Sequence, residues 1–134
     1  MSLTALLPKS KKTVEQGAHA ESLAEKWLKK KGLKTLQRNY LCKCGEIDLI
    51  MQDGDHLVFV EVRLRSNRNY ATGAETVTYP KQRKIINTAS HFLQRNAKMM
   101  ERPARFDVIS VSRKPGQNAN AEFEWLKNAF EVSY

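Results

Sequence analysis

Two carboxylic acids, Asp48 and Glu61, interrupt two apolar segments that each have the length of a β-strand. The segments run from Glu46 to Met51 and from Leu57 to Leu64, and the Asp-Gly pair at 53–54 between them is a strong signal for a hairpin turn. An unpaired carboxylate is costly to bury, so each acid needs a cation, a hydrogen-bond network or a metal. A site for chemistry is one explanation of this pattern, and a salt-bridged sheet is the other.

The number of residues in the hairpin loop decides whether the two acids meet, because strand side chains alternate between faces. A two-residue loop makes Asp48 and Glu61 diagonal neighbours, and a four-residue loop places them directly opposite. Either arrangement brings the carboxylates within about 8 Å of each other. A three-residue loop separates them unless a bulge restores the match. The sequence leaves the loop length open.

Two acids on one face of a half-buried hairpin favour a hard divalent cation. Mg²⁺ takes one or two carboxylates and completes its shell with water and phosphate oxygens. Arg63 and Arg65 follow Glu61 directly, and they could instead neutralise the acids within the sheet. The spacing alone does not decide between a metal site and structural ion pairs.

Composition indicates a single globular domain with a basic surface. At 134 residues the chain is long enough for a real core. Lys and Arg number 23 against 14 Asp and Glu, and the net charge of +9 favours a polyanionic partner, most commonly nucleic acid. A basic surface that serves solubility is the alternative.

Composition also indicates the cellular compartment. No apolar run approaches the ~20 residues of a membrane span, and the apolar patch at 3–7 is too short for a signal peptide, so a cytoplasmic protein without a membrane partner is expected. Cys42 and Cys44 are expected to be reduced thiols, because a zinc site needs about four ligands.

Residues 1–12 are predicted to form a flexible basic arm, and residues 13–134 a single domain. A first helix is predicted from the capping box at 13–16 to about Lys31, with Gly32 as its C-terminal stop. Glu21 lies at the edge of the apolar stripe of this helix and can reach the rim of the surface that the helix packs on. Alone, Glu21 would read as an ordinary surface acid.

A second helix is predicted to begin after Thr78, with Pro80 tolerated in its first turn. Lys81 and Gln82 sit one turn ahead of the buried face and should point toward the sheet, and Lys84 begins a basic stripe. Helix N-termini also attract phosphates. This turn is therefore predicted to contact nucleic acid.

The remaining segments complete an α/β fold. Strands are predicted at 33–41 and 105–112, and residues 122–130 should close the sheet edge or cap the core. The order α-β-β-β-α-β plus a short C-terminal element indicates a mixed central sheet flanked by helices. Residues 65–76 carry Arg65, Arg68 and Tyr70, and they indicate a mobile loop that grips a nucleic-acid backbone, with an ordinary solvated loop as the alternative.

Five short motifs together resemble the YraN-like family of uncharacterised bacterial proteins. They are GAHAE at 17–21, RNY at 38–40, GEIDLI at 45–50, FVEVR at 59–63 and RFDV at 105–108. The resemblance covers nearly the whole chain from Gly17 to Phe130. That family is similar to the PD-(D/E)XK nuclease superfamily, with the restriction-endonuclease-like fold, and within it to archaeal Holliday-junction resolvases.

The resemblance implies a DNA endonuclease that depends on Mg²⁺ or Mn²⁺, with branched or damaged DNA as candidate substrates. It implies metal-binding acids at Asp48 and Glu61, a third acid from the first helix at Glu21, and a catalytic lysine at the position of Arg63. Arginine keeps the charge and can clamp a phosphate, but it stays protonated and cannot serve as a base. The phase of the second helix makes Lys81 a candidate to supply the missing amine.

The site expected from the sequence therefore has two parts. The catalytic set is Glu21, Asp48, Glu61 and Arg63, and the nucleic-acid-binding set is Arg65, Arg68, Lys81, Gln82 and Lys84. The alternative from a different class is a nucleic-acid-binding protein that keeps the nuclease fold with weak or no catalysis, because Arg63 replaces the lysine. A third hypothesis is a scaffold that contacts acidic proteins. Resolvase-like relatives often pair to address two strands, so a homodimer is a candidate assembly, although the sequence leaves the oligomeric state open.

Overall fold

A five-stranded mixed sheet with one helix on each face forms the fold. In the computed structural model the described residues are 11–65, 77–112 and 121–132, with the backbone alone for 11–16. The helices and strands, in chain order, are α1 Lys11–Lys30, β1 Lys34–Cys42, β2 Gly45–Asp53, β3 His56–Arg65, α2 Tyr79–Arg95, β4 Ala104–Ser112 and β5 Glu122–Phe130. A short 3₁₀ turn, Ala97–Met99, follows α2.

The strands lie side by side in chain order, from β1 at one edge to β5 at the other. The first three form an antiparallel meander, α2 carries the chain across to β4 parallel to β3, and β5 returns antiparallel to β4. The predicted α/β class and element order are confirmed. The C-terminal element proves to be a nine-residue strand at the sheet edge.

The sheet has a separate apolar core on each face. Alternation along β3 assigns Leu57 and Phe59 to the core under α2, and Val58 and Val60 to the core under α1. Phe59 stacks on Phe106 with ring centroids 5.4 Å apart. The sheet is thus buried on both sides along most of β2, β3 and β4, which fixes its register.

The helix ends explain how the chain enters the sheet. Gly32 has φ +101°, and the N–H groups of Gly32 and Leu33 donate to Lys29 O (3.0 Å) and Leu28 O (3.1 Å). This Schellman arrangement confirms the predicted stop of α1. Its predicted start at Thr13 is wrong, because the helix already begins at Lys11. Lysine is a good helix former, and a capping box does not prevent extension of the helix ahead of it.

Three further expectations concern the N-terminal arm and the loop after β3, the cysteines, and membrane-spanning helices. Residues 1–10 of the predicted arm and 66–76 of the predicted loop, with Arg68, lie outside the described residues. Cys42 and Cys44 are free thiols, as expected. Among the described residues, no helix is long and apolar enough to cross a membrane.

The hairpin loop differs from the expectation in a way that matters for the acids. Asp53 pairs with His56, so the loop is the two-residue Gly54-Asp55 turn, with Gly54 at φ +62°. We expected a two-residue loop to make Asp48 and Glu61 diagonal. Instead, the two acids lie directly opposite each other, because the same register extended by one residue beyond the Leu49↔Val60 pair matches Asp48 with Glu61. The reason is that the two turn residues are Gly54 and Asp55, one position later than the expected Asp53 and Gly54.

The RFDV motif contains a buried acid, Asp107, in the first half of β4. Asp107 is fully buried and accepts hydrogen bonds from Arg105 Nε (3.0 Å), Trp125 Nε1 (2.9 Å) and Asn128 N (2.9 Å). Arg105 also donates to Asp53 in the hairpin (2.9 Å). These bonds bridge the irregular register between β4 and β5, so the role of Asp107 is structural.

We expect Asp107→Asn to lower the free energy of unfolding by about 2–3 kcal/mol, since hydrogen bonds to charged groups contribute about 1.5–3 kcal/mol and Arg105 would keep only Asp53 as a partner. Urea unfolding measures the change. Glu124→Gln, which removes a half-exposed acid from its ion pair with Arg65, is the matched control and should cost below about 1 kcal/mol. Equal losses in the two variants would contradict the structural role of Asp107.

Candidate metal and nucleic-acid site

The carboxylate of Asp48 lies where β2 and β3 separate. The last residue pair between the two strands is Leu49↔Val60. Beyond it, the backbone N–H of Val62 on β3 donates to Asp48 Oδ2 at 2.8 Å. A side chain thus replaces a main-chain acceptor at the end of the ladder. Asp48 is thereby held at a fixed position at the open end of the hairpin.

A cleft of about 380 Å³ opens beside this point, between the hairpin and the first turns of α2. Its lining residues are Gly45, Glu46, Asp48, Glu61, Thr78, Pro80, Lys81 and Lys84. Acids therefore form one wall and lysines of α2 the other. An arrangement of this kind can hold a cation on one side and a phosphate on the other.

Gly45 allows the β1–β2 turn to approach α2 closely enough to line this cleft. Its φ is +149°, and a Cβ at this position would lie 3.2 Å from Thr88 Oγ1. The Thr88 hydroxyl is itself fixed by donating to Lys84 O at 2.7 Å. A larger residue would meet both unfavourable backbone geometry and a side chain with little freedom to move.

The environment of the acid pair disfavours the charged form of Asp48. Burial and, next in size, the neighbouring charge of Glu61 raise the pKa of Asp48 to about 8, against an ordinary value of 3.8. The charge of Glu21 adds to this effect, and only the Val62 N–H opposes it. Asp48 at neutral pH therefore lacks enough positive charge around it, and a divalent cation would supply that charge.

Glu61 is the more deeply buried member of the pair, with its side chain 6% exposed. Lys81 Nζ lies 3.1 Å and Arg63 Nη1 3.7 Å from its Oε2. The predicted approach of Lys81 from α2 to the sheet is thus confirmed in geometry. Both cations thus compensate the charge of Glu61 directly.

Glu21 approaches the pair from α1, and sequence reasoning missed the residue that holds it. Asn39 Nδ2 donates to Glu21 Oε1 at 2.7 Å. Asn39 has φ +49°, a left-handed conformation in which Asn is several-fold enriched, and it faces Asp48 across the β1–β2 register. The signal available in the sequence was an Asn within a predicted β-strand, because Asn is one of the few residues enriched at positive φ.

The neighbours of Asn39 in the RNY motif also tie helices to the edge strand. Arg38 donates to both oxygens of Glu25 on α1, with Nε–Oε1 at 2.8 Å and Nη2–Oε2 at 2.7 Å. Although burial raises the pKa of Glu25, the bonds from Arg38 and Thr35 hold it below its usual range. The Tyr40 hydroxyl meets His91 Nδ1 of α2 at 2.5 Å. These contacts fix α1 and α2 against β1.

The predicted nucleic-acid-binding residues divide into three groups. Lys81 and Lys84 line the cleft. Gln82 turns back and donates through Nε2 to Val77 O at 2.9 Å, and Arg65 is 15% exposed and pairs with Glu124 at 3.2 Å. Arg68 lies outside the described residues. The structure therefore brings the two lysines and Arg63 to the acids, and Arg65 and Gln82 have other contacts.

The donor set fits a hard divalent cation with an incomplete protein shell. Among the described residues, no three His, Cys, Asp or Glu side chains are arranged as a ready ligand group. Glu46, Asp48 and Glu61 line the cleft, and of these Asp48 and Glu61 lie opposite each other on β2 and β3, while an oxygen of Glu21 is engaged by Asn39. Two carboxylates with open positions suit Mg²⁺ or Mn²⁺, which keep several water or phosphate ligands.

The raised pKa predicts that the metal-free protein becomes less stable as the pH rises. Between about pH 4 and pH 8 the folded state keeps a proton on Asp48 that the unfolded chain has lost, so stability falls by up to about 1.4 kcal/mol per pH unit. The groups that face Asp48 are Glu61, Glu21 and, through Glu61, Lys81.

Asp48→Asn should remove most of this slope, because its amide oxygen can still accept from Val62 N–H without a charge. Urea unfolding at pH 5 and pH 8 in the presence of a chelator measures both variants. The Asn variant should be the more stable protein at pH 8. An identical pH dependence in the two proteins would contradict the electrostatic description of the pair.

Comparison with known proteins identifies similar chains. A family model described as "Uncharacterised protein family UPF0102" matches residues 20–111. A UPF0102 protein of Legionella pneumophila is 47% identical over 120 residues, which cover 90% of this chain and 98% of the relative. A UPF0102 protein of Saccharophagus degradans is 46% identical over 119 residues, covering 89% and 95%, and one of Nitrosospira multiformis is 44% identical with the same coverage.

Proposed function

This chain belongs to the uncharacterised protein family UPF0102, the YraN family, and we propose that it is a divalent-metal-dependent DNA endonuclease with a restriction-endonuclease-like fold. The observation that carries the proposal is the Asp48–Glu61 pair at the open end of the hairpin, opposite the lysines of α2. An antiparallel meander followed by a helical crossover to a parallel strand supports the fold. The resemblance to resolvase-like nucleases supports branched or damaged DNA as substrate and a homodimer as the assembly.

Each residue of the candidate site has a distinct role in this proposal. Asp48 and Glu61 would hold Mg²⁺ or Mn²⁺, which when bound polarises the phosphate and acidifies a water molecule. Glu21, oriented by Asn39, would accept a hydrogen bond from the attacking water or would hold a second ion. Arg63 would bind the phosphate oxygens as negative charge develops on them.

The DNA partner is supported by charge and by the shape of the cleft. The net charge of +9 raises the affinity for any polyanion. Lys81 and Lys84 project from the first two turns of α2 into the same cleft as the acids, so a phosphate bound by the lysines lies beside the carboxylates. Without a metal, Lys81 is engaged by Glu61 and is less available to a phosphate.

The direct test is incubation of the purified protein with supercoiled plasmid, single-stranded DNA and a four-way junction, with Mn²⁺ or Mg²⁺. We expect cleavage of at least one substrate that a chelator abolishes. A protein that binds these DNAs and cleaves none of them with either metal would contradict the endonuclease proposal.

Arg63 favours a second candidate function, a DNA-binding protein without efficient cleavage. Arginine at this position can bind a phosphate but cannot accept a proton from water. Arg63→Lys distinguishes the two functions in the same cleavage assay. If wild type is a nuclease, the variant should change the rate by roughly tenfold or less, since the charge is retained. Cleavage that is present only in the variant would favour the binding function.

A further inference from the structure

We propose that Lys81 is a displaceable counter-cation of the acid pair: it occupies Glu61 while the metal is absent and is released to a DNA phosphate when a metal binds. This inference rests on the proposed function and adds the order in which metal and DNA use the site. Its basis is the contact of Lys81 Nζ with Glu61 Oε2 at 3.1 Å, on an oxygen that a bound metal would also require.

The position of Lys81 is fixed at its backbone and free at its tip. Thr78 caps α2 by accepting from Lys81 N at 3.4 Å, and its carbonyl accepts from Gln82 N at 2.9 Å. Gln82 Nε2 also binds Val77 O. The first turn of α2 is thus anchored on both sides of Lys81, and movement of this cation is limited to its own side chain.

Displacement requires a cation that is exposed to solvent and an acid that stays in place, and the exposed fractions of Lys81 and Glu61 meet this requirement. The Lys81 side chain is 47% exposed and the Glu61 side chain 6%. An exposed ammonium on a flexible four-carbon stem can leave a buried carboxylate without disturbing the core. The neighbouring phosphate position in the cleft, shared with Lys84, is then within reach of the same side chain.

Arg63 does not share this behaviour. It projects from β3 itself, two residues after Glu61, and its Nη1 lies 3.7 Å from the same Oε2. Its planar group can stay near Glu61 and bind a phosphate at the same time because it has five donors. The two cations therefore divide the work: Arg63 remains with the acid, and Lys81 exchanges with the metal.

The displacement predicts opposite effects of one substitution on two ligands. Lys81→Met removes the competitor for Glu61, so Mn²⁺ should bind the DNA-free protein roughly three- to tenfold more tightly, the range expected for a partly exposed ion pair. The same variant should bind DNA more weakly when a divalent cation is present. Without the cation its DNA defect should be smaller, because Lys81 is then held by Glu61 and contributes to DNA binding only through its charge.

Lys84→Met is the matched control, since it removes the same charge from the same cleft. Its Mn²⁺ affinity should rise by less than about twofold, which measures the charge alone at longer range. Its DNA affinity should fall with or without divalent cation. The difference between the two lysine variants therefore isolates the contact with Glu61 from the general field of the cleft.

The experiment measures Mn²⁺ binding to DNA-free protein by electron paramagnetic resonance of free Mn²⁺, for wild type, Lys81→Met, Lys84→Met and Asp48→Asn. DNA affinity is measured in parallel with a chelator and with Ca²⁺, which shares the preference for oxygen ligands. The inference requires a stronger tightening of Mn²⁺ binding in Lys81→Met than in Lys84→Met, and a DNA defect of Lys81→Met that is larger with Ca²⁺ than with the chelator.

The outcomes separate this inference from the proposed function. If Asp48→Asn binds Mn²⁺ as wild type does, the metal site itself is wrong and both ideas fail. If Asp48→Asn loses Mn²⁺ but Lys81→Met binds it no more tightly than Lys84→Met, the metal site stands and the displacement is overturned. A DNA defect of Lys81→Met that is equal with and without Ca²⁺ would also overturn the displacement.

Discussion

Asp48→Asn should reduce metal-dependent DNA cleavage by a factor of about 10³ or more, because a metal contributes several kcal/mol to the transition state and each 1.4 kcal/mol is about tenfold in rate. The substitution keeps the size of the side chain and the acceptor for Val62 N–H, so the hairpin should remain folded. It removes the charge that makes this oxygen a metal ligand. Initial rates with Mn²⁺ at saturating DNA measure the loss.

Asp55→Asn is the control for this substitution. It makes the same chemical change on the same hairpin, but at the turn, where the Asp55 side chain is 85% exposed and lies 3.3 Å from its neighbour His56. We expect a rate within about twofold of wild type, as for surface changes away from a site. Glu61→Gln should behave like Asp48→Asn. Cleavage that persists in both acid variants would remove Asp48 and Glu61 from the mechanism.

DNA affinity should fall about 500-fold when the salt concentration is raised tenfold, from the rule of about −0.9 log units per duplex phosphate neutralised. The estimate uses three cations, Arg63, Lys81 and Lys84, and a slope of about −2.7. Arg65 is left out because Glu124 holds it, and Arg68 because it lies outside the described residues. Titrations at several salt concentrations with Ca²⁺ present measure the slope.

Lys84→Ala should bring this slope closer to zero by about one unit and weaken binding to all sequences alike. The control is Lys34→Ala, which removes an exposed lysine of β1 beside the hairpin turn, at the other end of β2 from Asp48. Its slope should equal that of wild type. A salt-independent affinity, or equal slopes for both variants and wild type, would mean that the basic excess serves another surface.

The side-chain alternation of strands predicted from the sequence that Asp48 and Glu61 meet if the hairpin loop has an even number of residues. Parity depends only on the number of loop residues, and the Asp-Gly signal limited that number to a few values. The exact turn was not predictable, because Asp-Gly and Gly-Asp are both acceptable turn pairs at this point. The register of the acids therefore required the structure.

The contacts that hold the acids could not be read from the sequence, since they join residues far apart in the chain. Asn39 binds Glu21 across 18 residues, and Lys81 binds Glu61 across a helix crossover. Helix phase correctly indicated the direction of Lys81 but not its partner. Arg65 has the charge and position of a DNA contact, and only the return of β5 supplies Glu124 beside it.

The location of bound Mn²⁺ by anomalous scattering from crystals of the protein tests most directly whether the acid pair is a metal site. We expect an anomalous peak within about 2.5 Å of carboxylate oxygens of both Asp48 and Glu61, the distance range of hard cations and oxygen ligands. Crystals of Asp48→Asn should lack this peak. Mn²⁺ bound elsewhere, with Asp48 and Glu61 free of it in a protein that cleaves DNA, would contradict the assignment.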